Sequence, residues 1–497
     1  MPYGLRDQES RAPARSRDVG SIGLWVICLL AVAGRLWLYG DLRLAIATAD
    51  LNSYIRSSRA PVFSWADFSG RRLFTTNLVF RSISQGSNCG EAPISSPATG
   101  EEGQRGIQPC VATIAVAQAL LSIVGWAWLA FAISRQLSAT AARLLGAATI
   151  LLFGFTPQLA AWDSILSSES LTLSLFALSL GCLVELAFLW PSEVSRRSAY
   201  TLLLCALWLI SFALWVFTRD ANLYAIPVTL VLLVPLAGSK TPRRRRWLVT
   251  VAIILTGLLV LGLLSSRQST RWQPSIQHSL ETFIFPYPAR EEFLSERFGM
   301  PRPSSPEYAP WFESQAPTAF AGFLAFHPGF IAQTILENWS IFTQNYQQPY
   351  FRLENADAEA ALLQFGEVLH PSSGAFYLLD ALILIAISIA ALTGRDIRRS
   401  TWAWILGWLY LTAAATLVLS FIGDTCGVQR HIFPSLEMLR LLMWMSLFVL
   451  MDGCLSSYGA TTPVSDAFGA APPPPSNDAQ EGRAAGATQA STKGSAR

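Results

Sequence analysis

Side chains that could take part in chemistry stand just beyond the first long apolar run of the sequence. Asp50 and Tyr54 lie four residues apart in this stretch, and two arginines, Arg71 and Arg72, follow them. A carboxylate at this position lies where an apolar helix ends and water begins, which suits an acid that must ionise beside a lipid-borne substrate. We therefore regard residues 45–80 as the stretch around which the rest of the chain is organised.

More polar residues gather at the ends of later apolar runs. They are Asp163, Glu169, Arg219, Asp220, Asp424, Arg430 and His431. An acid or arginine within a membrane helix costs roughly 2.5–3.5 kcal/mol on insertion scales, so such residues tend to face a cavity. Simpler roles remain open: Glu169 could complement the N-terminal dipole of the next helix, and Arg219 and Asp220 could form an interfacial ion pair. Their convergence on one face favours a shared site.

The composition determines which elements can hold these residues. Of the 497 residues, 52% are hydrophobic and 14% are charged, whereas about 25% are charged in ordinary soluble domains. The apolar residues cluster in runs of roughly 17–22, enough for a helix to cross a hydrocarbon core about 30 Å thick. The sequence predicts an all-α polytopic membrane protein with about ten transmembrane helices. These cover residues 21–40, 111–133, 143–160, 169–190, 200–218, 221–238, 247–265, 375–394, 402–422 and 434–453.

The arginines indicate how these helices are oriented. They concentrate in the N-terminal tail and in short loops near residues 135–143, 196–197, 240–246 and 395–399. Because loops rich in Lys and Arg remain in the cytoplasm, both termini are predicted to be cytoplasmic and the polar cluster extracytoplasmic. Lysine occurs at two positions only, a bias typical of a high-GC bacterial genome. We therefore expect a bacterial cytoplasmic (inner) membrane protein.

The sequence divides into five predicted parts. They are a cytoplasmic basic tail (1–20), a transmembrane core (21–265) with a first outer loop (41–110), an extracytoplasmic aromatic-rich loop (266–374), C-terminal transmembrane helices (375–453) and a disordered cytoplasmic tail (454–497). Within the second loop, the apolar residues 319–332 are too few to cross the bilayer. They are interrupted by His327-Pro328, and we expect them to form an amphipathic helix at the membrane interface.

Cysteines and histidines limit the cofactors that the chain could carry. Cys89 and Cys110 flank a Gly/Ser/Pro-rich part of the first outer loop, and they could pair if that loop faces an oxidising compartment. No cysteine spacing is typical of a zinc site, and the four histidines lack ligand spacing. We expect no cofactor and no nucleic-acid partner, and nothing in the sequence supports a divalent metal.

This arrangement resembles the GT-C superfamily of membrane glycosyltransferases, which use polyprenyl-phosphate sugars and include protein mannosyltransferases and the aminoarabinose transferase acting on lipid A. The resemblance covers about residues 21–453. The first outer loop of that family often begins with Asp-Glu and has a tyrosine four residues after the Asp. Asp50 and Tyr54 keep this spacing, but Leu51 replaces the Glu. Asp163 or Glu169 could supply the second acid.

The resemblance implies an inverting transfer of a hexose or pentose from polyprenyl phosphate to a hydroxyl of an extracytoplasmic acceptor, a cell-envelope glycan, lipid or protein. Asp50 would be the general base. Arg219, Arg430 and a protonated His431 would hold the anionic leaving phosphate, and Tyr54 would contact the substrate.

Two other classes of protein remain open. A transporter or flippase of a lipid-linked or envelope substrate would carry out no covalent chemistry, and it would need ionisable residues near mid-membrane. A polymerase or ligase would share the lipid-linked donor.

Overall fold

The computed structural model describes residues 14–48, 50–84, 109–189, 199–237, 242–351, 353, 355–393 and 397–461. In these residues the regular structure is helical apart from one isolated bridge. The α-helices are α1 (Ala14–Tyr39), α2 (Leu51–Ser57), α3 (Trp65–Ser69), α4 (Phe74–Ser84), α5 (Ala112–Gln136), α6 (Thr140–Phe155), α7 (Pro157–Ala160), α8 (Ser168–Leu189), α9 (Ala199–Val216), α10 (Ala225–Ala237), α11 (Pro242–Gln268), α12 (Trp272–Phe283), α13 (Pro288–Phe298), α14 (Tyr308–Phe326), α15 (Pro328–Glu337), α16 (Trp339–Thr343), α17 (Ala356–Leu369), α18 (Ala375–Thr393), α19 (Ile397–Gly423) and α20 (Val428–Thr461). Short 3₁₀ helices cover Pro109–Val111, Ala161–Ser164 and Asp220–Tyr224.

Eight of the described helices are long and apolar enough to cross a membrane: α1, α5, α8, α9, α11, α18, α19 and α20. Counting each of two bent helix pairs as one span would raise the number to ten. In the first, α6 and the segment Pro157–Ser164 meet at 44°, and in the second, α14 and α15 meet at 86°. The chain is therefore an all-α, multi-pass membrane protein, as the apolar runs predict.

One predicted span and the predicted interfacial helix differ in detail from the structure. The run at 221–238 forms the shorter apolar helix Asp220–Leu236, which falls below the length of the other spans. The prediction of an amphipathic helix at 319–332 is wrong, because these residues belong to two helices. Helix α14 ends at Phe326, and the axis of α15 makes an angle of 86° with it. Pro328 explains the break, since a proline disfavours the helical conformation of the residue before it.

Small residues allow the two central helices to pack closely. A Cβ atom on Gly125 of α5 would lie 2.5 Å from the carbonyl oxygen of Ser174 in α8. On the facing helix, a Cβ atom on Gly181 would lie 2.6 Å from the indole of Trp128. Such glycines let backbones approach in membranes, where apolar burial alone does not drive helices together. The pair forms the centre of the bundle, and α8 is buried along most of its length.

A parallel bridge connects the segment after α1 with the segment before α8. It pairs Ile46 with Ile165, and the amide of Ile46 donates to the carbonyl of Ser164 at 2.8 Å. Asp50 and Glu169 each follow the bridge by four residues. Residues that are far apart in the sequence are thereby brought to the same end of the bundle.

The helices α12–α17 pack over this end of the bundle. The hydroxyl of Ser279 in α12 donates to the carbonyl of Ile422 in α19 at 3.1 Å, and the hydroxyls of Thr282 and Thr425 are 2.9 Å apart. These bonds hold α12 on the end of α19, next to the start of α20.

Of the two cysteines predicted to pair, one can be described. Cys110 forms a disulfide bond, and Cys28, Cys182, Cys205, Cys426 and Cys454 are free. Cys89 lies outside the described residues, so its pairing with Cys110 stays a prediction.

Candidate active site

A cavity of about 940 Å³ opens where α8 and α20 begin and α9 ends. Its wall contains six of the predicted site residues: Asp50, Tyr54, Glu169, Arg219, Arg430 and His431. It also contains apolar side chains from the membrane helices and the first residues of α12. The fold thus gathers the six predicted residues from four separate parts of the sequence around one space.

Asp50 precedes α2 and is held between two arginines. Its Oδ1 accepts a hydrogen bond from Nη2 of Arg72 at 2.5 Å, and its Oδ2 accepts one from Nη1 of Arg430 at 3.3 Å. The side chain is 35% exposed. The two guanidinium groups orient the carboxylate while leaving it accessible from the cavity.

Tyr54 lies behind Arg72. The guanidinium of Arg72 is 4.2 Å from the centre of the Tyr54 ring, and its Nε donates to the hydroxyl of Ser53 at 2.6 Å. The other neighbour of Tyr54 is Phe80, whose ring centre is 5.1 Å away. Burial raises the pKa of the Tyr54 phenol, so it stays neutral. These contacts make Tyr54 a support for Arg72.

Glu169 is paired with Arg430. Nε of Arg430 donates to Oε1 of Glu169 at 2.6 Å, and Nη2 donates to Oε2 at 3.3 Å. The Glu169 side chain is 1% exposed. Such two-point pairs are strong and geometrically specific. Glu169 therefore does more than complement a helix dipole: it fixes Arg430, which in turn reaches Asp50.

Arg219 contacts His431 rather than a carboxylate. Its Nη2 lies 2.8 Å from Nδ1 of His431, and its Nη1 donates to the His431 carbonyl at 3.1 Å. Because a guanidinium can only donate, Nδ1 must accept, and the ring proton belongs on Nε2. That nitrogen faces Asp424 at 3.5 Å. This arrangement favours a neutral imidazole over the protonated one that we expected.

Arg219 and Asp220 do not form the ion pair with each other that was the simpler alternative for these two residues. Asp220 instead accepts from Nε of Arg271 at 2.8 Å. Among the described residues, Arg219 has no carboxylate within ion-pair distance, although it lines the cavity. Its charge is consequently available to a ligand.

Asp163, the other candidate for the second acid, does not line this cavity. It forms a buried ion pair with Arg35 and accepts a hydrogen bond from Ser170 at 2.5 Å. The guanidinium of Arg35 lies between the rings of Tyr39 and Phe155, at 4.8 and 5.4 Å. This cluster joins α1 to the end of the bent α6–α7 pair. The structure therefore brings Glu169, but not Asp163, to the cavity.

Asp67 in the first outer loop is buried. It is 0% exposed and pairs with Arg81 at 2.8 Å. Breaking a buried pair by removing one partner is strongly destabilising, so Asp67 acts in folding rather than in the cavity.

Five charged residues of the cavity wall were not among the predicted site residues: Arg71, Arg72, Asp220, Arg271 and Asp424. Arg72 carried a sequence signal, because it follows Arg71 in the stretch after the first span. Arg271 had none, since it stands alone beyond the end of α11. Asp424 was visible as one of the polar residues between the last two spans.

The charges around the cavity suit an anionic ligand. Four carboxylates and five arginines line it, so one positive charge remains when all are ionised. Arg71 and Arg219 are the two lining arginines that have no ion pair among the described residues. No group of three or more His, Cys, Asp or Glu side chains in the described part of the chain could hold a metal ion.

The chain matches no protein-family model and no curated protein. Its fold is similar to solved structures of an oligosaccharyltransferase, AglB, from Archaeoglobus fulgidus. The form in complex with an inhibitory peptide and a dolichol-phosphate is 13% identical, with a TM-score of 0.40, and the similarity covers 90% of this chain and 52% of that one. The apo form is 12% identical, with a TM-score of 0.43, covering 89% and 51%. The chain spans about half the length of these structures.

Proposed function

We propose that this membrane protein is a glycosyltransferase of the GT-C type, which moves a sugar from a polyprenyl-phosphate donor to a hydroxyl of an extracytoplasmic acceptor. The observation that supports this most is the cavity itself. It combines an oriented, accessible carboxylate, Asp50, with an arginine, Arg219, that has no carboxylate partner among the described residues, at the end of a membrane bundle. The proposal includes a bacterial cytoplasmic membrane, cytoplasmic termini and a cavity on the outer face.

The two ends of a polyprenyl-phosphate donor match different parts of the cavity wall. Leu223, Leu263 and Leu419 come from apolar helices, and Leu263 is 48% exposed. This side would receive the prenyl chain. The phosphate would bind at Arg219, because a charge-assisted hydrogen bond from an arginine without a carboxylate partner is available there. His431 would add its Nε2 proton.

Asp50 would act as the general base. The acceptor hydroxyl would give its proton to Oδ2 of Asp50 as its oxygen forms a bond to the anomeric carbon. The bond between that carbon and the phosphate oxygen would break, and its electron pair would leave with the phosphate. Arg219 and Arg430 would stabilise the charge that develops there. Glu169 would serve as a positioning residue, since it fixes Arg430.

One observation favours a second candidate, a transporter or flippase. Asp380 lies within α18, is 0% exposed, and neither of its carboxylate oxygens has a hydrogen-bond partner in the described residues. An isolated ionisable residue inside a span often belongs to a transport pathway.

Reconstitution distinguishes the two candidates. The purified chain in nanodiscs would be incubated with undecaprenyl-phosphate sugars, radiolabelled in the sugar, and a cell-envelope fraction. A glycosyltransferase releases undecaprenyl phosphate and labels the acceptor. A flippase leaves the donor intact in nanodiscs, yet moves it between the leaflets of proteoliposomes. Flipping without any transfer across a panel of donor sugars would exclude the proposed function.

A further inference from the structure

One side of the cavity is formed by the first residues of α12 and differs from the rest of the wall. It carries Trp272, Gln273 and, from α14, Phe312. The ring centres of Trp272 and Phe312 are 5.6 Å apart at an angle of 37°. Phe312 thus fixes the orientation of the indole, while the cavity reaches both rings.

Polar groups on this side are free to bind a ligand. Neither the indole N–H of Trp272 nor the amide of Gln273 has a hydrogen-bond partner in the part of the chain that the structure describes. Neither group is closed off from solvent. The neighbouring Arg271, by contrast, is fully engaged: it donates to Asp220 and to the carbonyls of Phe68 and Gly70.

We propose that Trp272, Phe312 and Gln273 form a subsite for a pyranose ring, belonging either to the donor or to the acceptor. A pyranose has an apolar C–H face and a rim of hydroxyls. The aromatic rings match the face, while the indole N–H and the amide of Gln273 match the rim. The inference rests on the proposed function, which it extends by naming the substrate that this side of the cavity recognises.

A prenyl chain fits this side of the cavity less well than a sugar. It would cover the rings but would also bury the amide of Gln273 without a hydrogen bond. An unsatisfied buried polar group is unfavourable by about 1–3 kcal/mol, whereas the leucine side of the cavity offers no such group.

The position of the subsite agrees with this assignment. Arg271 immediately precedes Trp272 and pairs with Asp220 at 2.8 Å, and Asp220 immediately follows Arg219. The aromatic side therefore adjoins the arginine that would bind the phosphate. A donor sugar, which is bonded to that phosphate, and an acceptor sugar, which attacks next to it, would both have to lie there.

Saturation-transfer NMR tests the subsite without any transfer reaction. The full chain in nanodiscs, which contain no sugar detergent, would be titrated with methyl pyranosides of glucose, galactose, mannose and N-acetylglucosamine. We expect at least one to show saturation at its ring C–H protons. Trp272→Ala should weaken its binding about tenfold or more, and Trp272→Phe should weaken it less.

The control is Trp339→Ala. Trp339 is 41% exposed in the same helical layer but does not line the cavity, so its loss should leave binding unchanged. If Trp272→Ala does not fold, Gln273→Ala replaces it, because that side chain has no hydrogen bond to lose among the described residues and its removal should also weaken binding. Absence of saturation with every pyranoside, or equal saturation in all variants, overturns the subsite.

Competition identifies the source of the sugar. If undecaprenyl-phosphate glucose displaces the bound methyl glucoside and undecaprenyl phosphate does not, the subsite belongs to the donor. If neither displaces it, the subsite belongs to the acceptor. Both results support a pyranose site. Both can be measured even if the protein has no glycosyltransferase activity.

Discussion

Replacing Arg430 with glutamine measures how much the ion network of the cavity contributes to folding. The change leaves Glu169 without its main partner, and this carboxylate is 1% exposed. Removing one partner of a buried pair typically destabilises a protein by about 3–5 kcal/mol, because the other charge stays buried and uncompensated. We expect Arg430→Gln to lose stability in that range.

A second change should restore much of the loss. In the double variant Glu169→Gln/Arg430→Gln no buried charge is left at this position, and two amides can hydrogen-bond to each other. Replacing both partners removes the uncompensated buried charge that makes the loss of one partner destabilising. The single variant Glu169→Gln should cost less than Arg430→Gln, because Arg430 is 19% exposed and keeps Asp50 at 3.3 Å.

Asp220→Asn is the matched control at the same cavity. Asp220 also pairs with an arginine, but its side chain is 45% exposed. Arg271 keeps three other acceptors when the carboxylate is lost: the carbonyls of Phe68 and Gly70 and the hydroxyl of Ser265. Because Asp220 is solvated and Arg271, whose side chain is 7% exposed, keeps these acceptors, the control should change stability by about 1 kcal/mol or less.

Denaturation in mixed detergent micelles, followed by far-UV circular dichroism, reports these differences. The expected order of stability is wild type close to Asp220→Asn, then the double variant, then Arg430→Gln. If Arg430→Gln is as stable as Asp220→Asn, or if the double variant is no more stable than Arg430→Gln, the buried pair does not stabilise the fold as argued.

Three further predictions concern the disulfide, the topology and the phosphate site. Mass spectrometry of the non-reduced protein should find Cys89 linked to Cys110. The chain-entropy model gives about 3 kcal/mol of stabilisation for a disulfide that closes a loop of this size. Free thiols at both positions would contradict this prediction. Single cysteines at 275–370 should react with impermeant maleimide in intact cells and those at 239–246 should not, as the positive-inside rule requires; the reverse pattern contradicts the orientation. Arg219→Ala should weaken binding of a polyprenyl-phosphate sugar roughly ten- to a hundredfold, the contribution of a charge-assisted hydrogen bond. The variant should still fold, since no carboxylate in the described part of the chain is left buried without its partner when Arg219 is removed. Unchanged affinity would place the phosphate elsewhere.

Hydropathy was sufficient to predict most of the membrane helices, because crossing a bilayer imposes length and composition on each span separately. Helix α8 and helix α11 begin and end close to the predicted runs. The bend between α14 and α15 was harder to predict. His327-Pro328 was noticed as an interruption, but the angle depends on how the two helices pack, and a short sequence pattern does not contain that information.

Much of the membership of the candidate site was predictable from the sequence, but the pairing of its residues was not. Acids and arginines at the ends of spans do meet in one cavity, because the spans place those ends at one level. Which acid meets which arginine depends on side-chain geometry across the bundle. Asp163 and Glu169 are six residues apart, yet one pairs with Arg35 and the other with Arg430. Similarly, Asp220 reaches Arg271 rather than the adjacent Arg219.

The positions of Asp50 and Asp67 in the sequence also did not indicate that the two side chains differ in burial. Both are acids in the first outer loop, but Asp67 is fully buried against Arg81 whereas Asp50 faces the cavity. Asp67→Asn would consequently be a poor control for a change at Asp50. Asp41 is a better one, because it is exposed, lies on the same loop and does not line the cavity.

Transfer by Asp50→Asn tests the central claim most directly. The amide keeps the shape of the side chain but cannot take a proton. Arg72 and Arg430 retain Ser53 and Glu169 as partners, so the variant should fold and bind the donor. With undecaprenyl-phosphate sugar and acceptor in nanodiscs, its rate should fall by about 10²–10⁴, the usual contribution of a general base, while Asp41→Asn transfers at the wild-type rate. A rate for Asp50→Asn within a few-fold of wild type would contradict the assignment of Asp50 as the base.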